Sequence, residues 1–157
     1  MLIKYELHPL RASEHEVVRE VYSDAIESQG DRFYTKRQIQ AWSGLAWLPG
    51  FLDRSLEEGR GWVSVEQQQL EAFAVRYPLN RLALLYCRGR SARRGHANAL
   101  LDRLELEARE EGQTELLTEA SFLSYPLLLR RGWKLISPEA LEIGGVSFDR
   151  YRMKKKL

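Results

Sequence analysis

The sequence predicts a mixed α/β fold (mixed α+β): one central mixed sheet with helices on both faces. Three observations carry this. Apolar residues keep the helical period through most of the stretch before Gly61, and a two-residue period takes over after it. The run Leu82-Ala83-Leu84-Leu85 is continuously apolar, as a strand covered on both faces should be. A long amphipathic helix then follows, and after it a strand, a short helix and a hairpin.

Taken in order, Ile3 to Leu10 alternates as a first strand, ended by His8-Pro9. Ser13 stands as an N-cap with Glu16 at the capping-box position. Val17, Val18, Val21, Tyr22, Ala25 and Ile26 form a helical stripe as far as Gly30. Thr35 caps a second helix, with Ile39, Trp42 and Leu45 facing inward, and Pro49-Gly50 breaks it. Phe51 to Glu58 is a third, short helical piece.

From Gly61, Trp62, Val63 and Val65 make a strand, Gln67-Gln68-Gln69 a polar turn, and Leu70 to Tyr77 the second strand. Pro78-Leu79-Asn80 turns the chain into Arg81 to Cys87, the third strand of this meander. Ala97, Leu100, Leu101, Leu104 and Ala108 place one apolar face on a helix from about residue 94 to 111. Asp102, Arg103, Glu105, Glu107, Arg109 and Glu110 lie mostly on its other face, and Gly112 stops it. Glu115 to Ala120 is a strand, parallel to the one before the helix through a right-handed crossover. A short helix spans about Ser124 to Arg131. Strand segments flank Ser137-Pro138, Gly144-Gly145 is a hairpin turn, and Val146 to Met153 returns. Lys154-Lys155-Lys156 reads as a solvated end.

The loop between the third strand and the long helix carries the functional signal. Arg88, Arg90, Arg93 and Arg94 crowd a helix start, where partial positive charge favours acidic neighbours instead. A bound anion reverses the sign of that term, because first-turn N–H groups and guanidinium groups converge on it. Gly95 has no Cβ and lets a ligand approach the backbone. On charge and glycine alone, a solvated arginine loop remains the alternative.

The segment LLYCRGRSARRGHANALL resembles the acetyl-coenzyme A signature of the GNAT (Gcn5-related) N-acetyltransferases: a strand, then Gln/Arg-x-x-Gly-x-Gly/Ala at a helix start. TEASFLSYPLLLRRGW resembles the family's following strand and helix, ending in Gly-Trp. Within the family the pairing of these segments looks most like the YafP-like branch, and the resemblance runs from Ile3 to about Met153. It implies a GNAT-type acyl-CoA N-acyltransferase fold over residues 1–157 as one domain. The implied activity moves an acetyl group from acetyl-CoA, the cosubstrate, to an amine of a small molecule or protein by direct attack on the thioester.

The resemblance also implies site residues. In the family two parallel strands splay and the pantetheine arm inserts between them. Here these are Leu82–Cys87 and Glu115–Ala120, with main-chain groups of Leu85 and Cys87, and Tyr86 between them, beside the arm. Arg88, Arg90, Arg93, Arg94, Gly95, His96 and Ala97 surround the pyrophosphate. Ser121 and Ser124 stand where family members often touch the cofactor; Ser124 is alternatively the N-cap of its helix. Glu119 is the general-base candidate and Tyr125 the substitute acid, each with an ordinary structural role as the alternative. Tyr22 and Tyr34 are candidates for the acceptor cleft, with plain packing the alternative. The N-terminal helical region is where the family builds acceptor specificity.

Two positions depart from the pattern. Ala92 stands at the Gln/Arg position, with Arg93 and Arg94 as neighbouring sources of charge. Leu128 stands where many members carry an acidic tyrosine, and leucine has no proton to donate. The rival reading is therefore a regulatory or non-catalytic protein that binds CoA on this fold.

The whole chain sets the outer bounds. At 157 residues it is long enough for a single domain burying about 70% of its unfolded surface. A net charge of +2 and no aromatic residues among the loop's arginines argue against nucleic acid. The lone Cys87 excludes an internal disulfide and reads as a buried strand residue rather than a nucleophile. His8, His15 and His96 show no metal-ligand spacing, so no metal is expected. No apolar run is long enough for a membrane helix, and the N-terminus has no signal-peptide core. A cytoplasmic bacterial protein, monomer or homodimer, is the expectation.

Overall fold

The computed structural model describes residues 5–157; the expected strand residues Ile3 and Lys4 lie outside them. Seven strands form one sheet: β1 (Glu6–Pro9), β2 (Arg60–Glu66), β3 (Gln69–Arg76), β4 (Arg81–Cys87), β5 (Glu115–Ala120), β6 (Lys134–Ile143) and β7 (Val146–Lys156). Their spatial order is β1-β2-β3-β4-β5-β7-β6. Among the described residues only β4 and β5 pair in parallel; every other neighbouring pair is antiparallel.

Helices cover both faces. On one, α1 (His15–Gln29) and α2 (Lys36–Ser43) bury Val18, Val21, Tyr22, Ile26 and Trp42 against Phe73, Val75 and Leu84. On the other, α4 (His96–Glu110) buries Leu100, Leu101, Leu104 and Ala108 against Ala72, Ala74, Leu82 and Leu116. Each fully buried leucine or valine contributes about 1.5–3 kcal/mol by leaving water. The short helices are α3 (Asp53–Glu58) and α5 (Tyr125–Arg130).

Local chemistry sets the element ends. The Thr35 hydroxyl accepts the Gln38 N–H and the Gln38 side chain accepts the Thr35 N–H, a reciprocal cap that starts α2. Ser13 does not cap α1. A 3₁₀ turn, Ala12–Glu14, precedes it, and the Glu14 carboxylate accepts the Arg11 N–H at 2.9 Å. Gly144 and Gly145 both have positive φ, as the tight hairpin between β6 and β7 requires.

Three sequence expectations are corrected. Ser137-Pro138 does not divide a strand: β6 runs through it, because β6 is an edge strand where a missing N–H is tolerated, and Ile136 bulges out of register beside it. Lys154-Lys155-Lys156 is the end of β7, paired with Leu117, Leu116 and Glu115 inside the sheet. The polar residues of α4 do not all face water either. Lys155 donates to buried Glu105 at 2.6 Å, and fully buried Arg76 pairs with Glu107 at 2.8 Å and with Glu111. These ion pairs clamp the C-terminal half of α4 to the sheet, and bonds from His96 to Ser64 and Glu66 hold its first turn.

Candidate functional site

The sheet opens between β4 and β5. The two pair only at Arg81↔Leu117 and Leu82↔Thr118. Directly after that point β4 carries a bulge: Val75 faces Leu84 while Arg76 faces Leu82, which leaves Ala83 as the extra residue. A bulge turns the strand and raises its twist. Here it also explains the unbroken apolar run, because Leu82 packs toward α4 and Leu84 toward α1.

Beyond the bulge one side of β4 lacks a strand partner. The Arg88 N–H bonds the Glu71 carbonyl of β3 at 2.8 Å. By the alternation of a strand, the main-chain groups of Leu85 and Cys87 therefore point away from β3, into the opening. The Cys87 carbonyl there accepts the Gln29 side-chain amide of α1 at 2.9 Å. The Cys87 thiol is pushed up to about 12 by burial, reinforced by the charges of Glu71, Asp24 and Glu66, so at neutral pH it stays a thiol.

The arginine loop continues from β4. Gly89 donates to Asp24 of α1 at 2.9 Å, and a Cβ on Gly89 would collide with Ser28. Glu71, only 4% exposed, takes Arg90 through two bonds of 2.8 and 2.6 Å and the Ser91 hydroxyl at 2.5 Å. The Arg90 bonds are the chief reason its carboxyl sits below the usual range. Arg88 donates to the Leu70 carbonyl, and Arg94 pairs with Glu66 at 2.5 Å. Of the four arginines, Arg93 alone has no ion-pair or hydrogen-bond partner among the described residues, and it is exposed.

Gly95 is the N-cap of α4 at φ 99°, and a Cβ there would lie 2.6 Å from the Tyr5 hydroxyl. The first intrahelical bond is Ala99 N–H to the Gly95 carbonyl, so the N–H groups of His96, Ala97 and Asn98 end the helix free of intrahelical partners. The His96 side chain is not at this end. It is 1% exposed and turned inward, with Nδ1 2.7 Å from the Ser64 hydroxyl and Nε2 2.9 Å from Glu66. Only its main chain lies at the helix end.

A cavity of about 370 Å³ occupies the opening. Leu85, Tyr86, Glu119, Ser121, Ser124 and Leu128 line it, together with Tyr22, Tyr34 and Trp42 from the helical side. Glu119 is held by a residue the sequence did not single out: Arg81 Nε donates to its two oxygens at 2.8 and 3.2 Å. The signal was available in hindsight, since parallel pairing of the two strands sets Arg81 two residues from Glu119 across the ladder. Ser121 and Ser124 meet, their hydroxyls 3.4 Å apart, and Ser124 makes no side-chain cap bond to α5. Tyr34 accepts the Phe122 N–H at 2.9 Å, and burial raises its hydroxyl above the ordinary tyrosine value. Tyr125 is not brought to the cavity. Its ring packs on Tyr151 of β7, centroids 4.2 Å apart, and Leu128 fills the adjoining wall.

A strand pair splayed at a bulge, leading through a glycine-capped loop to a fixed helix N-terminus, is a recurrent architecture. The chain's structure is similar to that of a GCN5-related N-acetyltransferase (aminotransferase, class II) from Rhodopseudomonas palustris, with a TM-score of 0.94, 22% identity, and coverage of 100% of this chain and 99% of that one. It is also similar to PaiA N-acetyltransferase from Thermoplasma acidophilum in complex with coenzyme A, with a TM-score of 0.75, 17% identity, and coverage of 99% and 100%. The chain has the GNAT fold. In sequence it is 24% identical, over 139 residues, to the uncharacterized N-acetyltransferase YafP of Escherichia coli (strain K12), covering 87% of this chain and 85% of that protein. No family model matches the chain. On the GNAT fold the segments whose resemblance the sequence showed are β4, the arginine loop and α4, then β5 and α5. No helix among the described residues is long and apolar enough to cross a membrane.

Proposed function

We propose that the protein is an acetyl-CoA-dependent N-acetyltransferase that moves an acetyl group to an amine by direct attack. The observation that carries this is the opening between β4 and β5, where Leu85 of β4 has no strand partner on that side, followed in the chain by a helix start whose first N–H groups lack intrahelical partners. The GNAT relatives, one described in complex with coenzyme A, support it.

The residues fit a coenzyme A molecule. Leu85 offers the pantetheine arm a strand edge, as a missing neighbour strand would. The N–H groups of His96 and Ala97, the bare backbone at Gly95 and the free guanidinium of Arg93 suit the pyrophosphate. Arg88, Arg90 and Arg94 act one step back, since their bonds to Leu70, Glu71 and Glu66 hold the loop in shape. Ser121 and Ser124 face the same opening.

Acetyl-CoA supplies an activated acetyl thioester. The amine nitrogen bonds to the acyl carbon, the C–S bond breaks, and coenzyme A leaves as a thiolate that takes its proton from water; the chain's own part is to orient the thioester, to place the amine and to accept its proton. A β4 N–H pointing into the opening is the donor for charge developing on the acyl oxygen. Glu119, oriented by Arg81, is the group placed to accept the amine proton directly or through water. Tyr125 lies off the cavity, which leaves it outside this scheme.

The rival reading, a CoA-binding protein without turnover, is favoured by a single observation, the leucine at position 128 in the cavity wall. Two measurements separate them. Coenzyme A binding, followed calorimetrically, is expected under both readings. Thiol release from acetyl-CoA over a panel of amines is expected only from an enzyme, and binding without any amine-dependent release would leave the rival standing.

A further inference from the structure

The cavity's second wall identifies what kind of amine enters. We propose that the acceptor is a small primary amine on a flat aromatic body, joined by a short arm; this rests on the acetyl-transfer reading and deepens it.

The wall is built from rings. Tyr22, Tyr34, Trp42 and Phe148 are buried and interlock with Tyr86: Tyr22 lies 4.4 Å from Tyr86 by ring centroids, Tyr34 5.2 Å from Trp42, and Trp42 6.3 Å from Phe148. They come from α1, the turn before α2, the last turn of α2, β4 and β7, so the surface is fixed by the core and keeps its shape. Phe51 lies in the same lining and is 56% exposed. An exposed ring beside a pocket is a lip on which a flat apolar body gains contact as it leaves water.

The charges point the same way. Arg81 is paired with Glu119 and Arg150 with Glu139 at 2.6 Å, so neither arginine is free to hold a carboxylate. Glu142 and Asp149, exposed residues of the hairpin that also line the cavity, have no ion-pair partner among the described residues and draw an ammonium inward. A peptide would bring amide groups that a wall of rings leaves unbonded. A space of about 370 Å³, shared with the acyl end of the donor, suits one ring and a short arm.

The test is thiol release by the whole protein with acetyl-CoA and a fixed set of amines: phenethylamine, tryptamine, spermidine, lysine and a tetrapeptide beginning with alanine. Phenethylamine or tryptamine is expected to show a kcat/KM at least about tenfold above the others. Phe51→Ala, at an exposed position that spares the fold, should raise the KM for that amine about tenfold and leave the KM for acetyl-CoA in place. Phe51→Tyr, which keeps a ring, should restore it. Faster turnover of spermidine, lysine or the peptide would overturn the aromatic acceptor and leave acetyl transfer intact. A protein that binds coenzyme A and releases thiol with no amine in the set or beyond it would lose both.

Discussion

The two walls of the cavity are made of different material. The donor wall is main chain: a bulged strand, a glycine with left-handed φ, and the first N–H groups of a helix. The acceptor wall is side chain: rings from four separate elements. A main-chain wall needs only the geometry of the fold and a few small residues. Many sequences supply it, which is how a chain 17% identical to a coenzyme A complex keeps the same frame. A side-chain wall is rewritten by each substitution, so on the proposed reading it is where one acceptor is told from another.

The comparison breaks most sharply at Gly95. Gly95→Val places a β-branched residue at φ 99° and drives Cβ into the Tyr5 hydroxyl. The loop must then move and pull its N–H groups from the anion. A loss of about a hundredfold or more in coenzyme A affinity is expected from calorimetry, alongside a stability loss of about 1–3 kcal/mol. Unchanged affinity would mean that the donor wall is not where coenzyme A binds.

Glu71→Gln tests whether the loop's shape depends on its anchor. The carboxylate takes Arg90 and Ser91 together, and replacing it should cost about 1–3 kcal/mol at pH 7 in thermal melts. The sign of the pH effect follows from the direction of the shift. Glu71 is held below its ordinary 4.5, so its contribution is complete above that value and fades as pH falls through the lower, folded-state one. Wild type should lose stability faster than Glu71→Gln as pH falls below about 4.5; parallel curves would show that the pair does not hold the loop.

How much of this was legible in the sequence follows the same division. The donor wall was readable, since Gly89, Gly95 and the arginines lie in one stretch, and the apolar run Leu82–Leu85 and the α4 stripe bracket it. The partners of those arginines were not. Glu66 lies 28 residues before Arg94 and Glu71 lies 19 before Arg90, and only the sheet's register brings them under the loop. Nor did periodicity reveal that Lys155 and Arg76 would clamp the polar side of α4, because a charge run looks the same in a solvated tail and in a buried pair. The acceptor wall draws on residues from position 22 to 148 and left no local signal beyond Tyr22 and Tyr34.

A contrast between neighbours sharpens the donor wall further. Arg94 is paired with Glu66, and Arg93 has no partner among the described residues. Arg93→Ala should weaken coenzyme A binding about tenfold, with a shallower dependence on salt, because one charge-assisted contact is lost. Arg94→Ala should cost less than about threefold. Equal effects would mean that the ion pair opens when the ligand arrives, and that both side chains touch it.

The smallest effect is expected where the sequence places its lone cysteine. Cys87 lies on β4 beside the opening, where a nucleophile of a two-step transfer would have to sit. Its thiol is pushed up to about 12, first by burial and then by three carboxylates, so almost none of it is thiolate at pH 7. Its contribution to the donor wall comes from the backbone, which Cys87→Ala leaves unchanged, with Gln29 still bonded to the carbonyl. Turnover should therefore stay within about twofold of wild type, with initial rates that fit a mechanism needing both substrates bound together. A drop of about a hundredfold, or an acetyl group recovered on Cys87 by mass spectrometry, would make the side chain the acyl carrier. The donor wall would then be chemical as well as geometric, and its division from the acceptor wall would no longer be one of main chain against side chain.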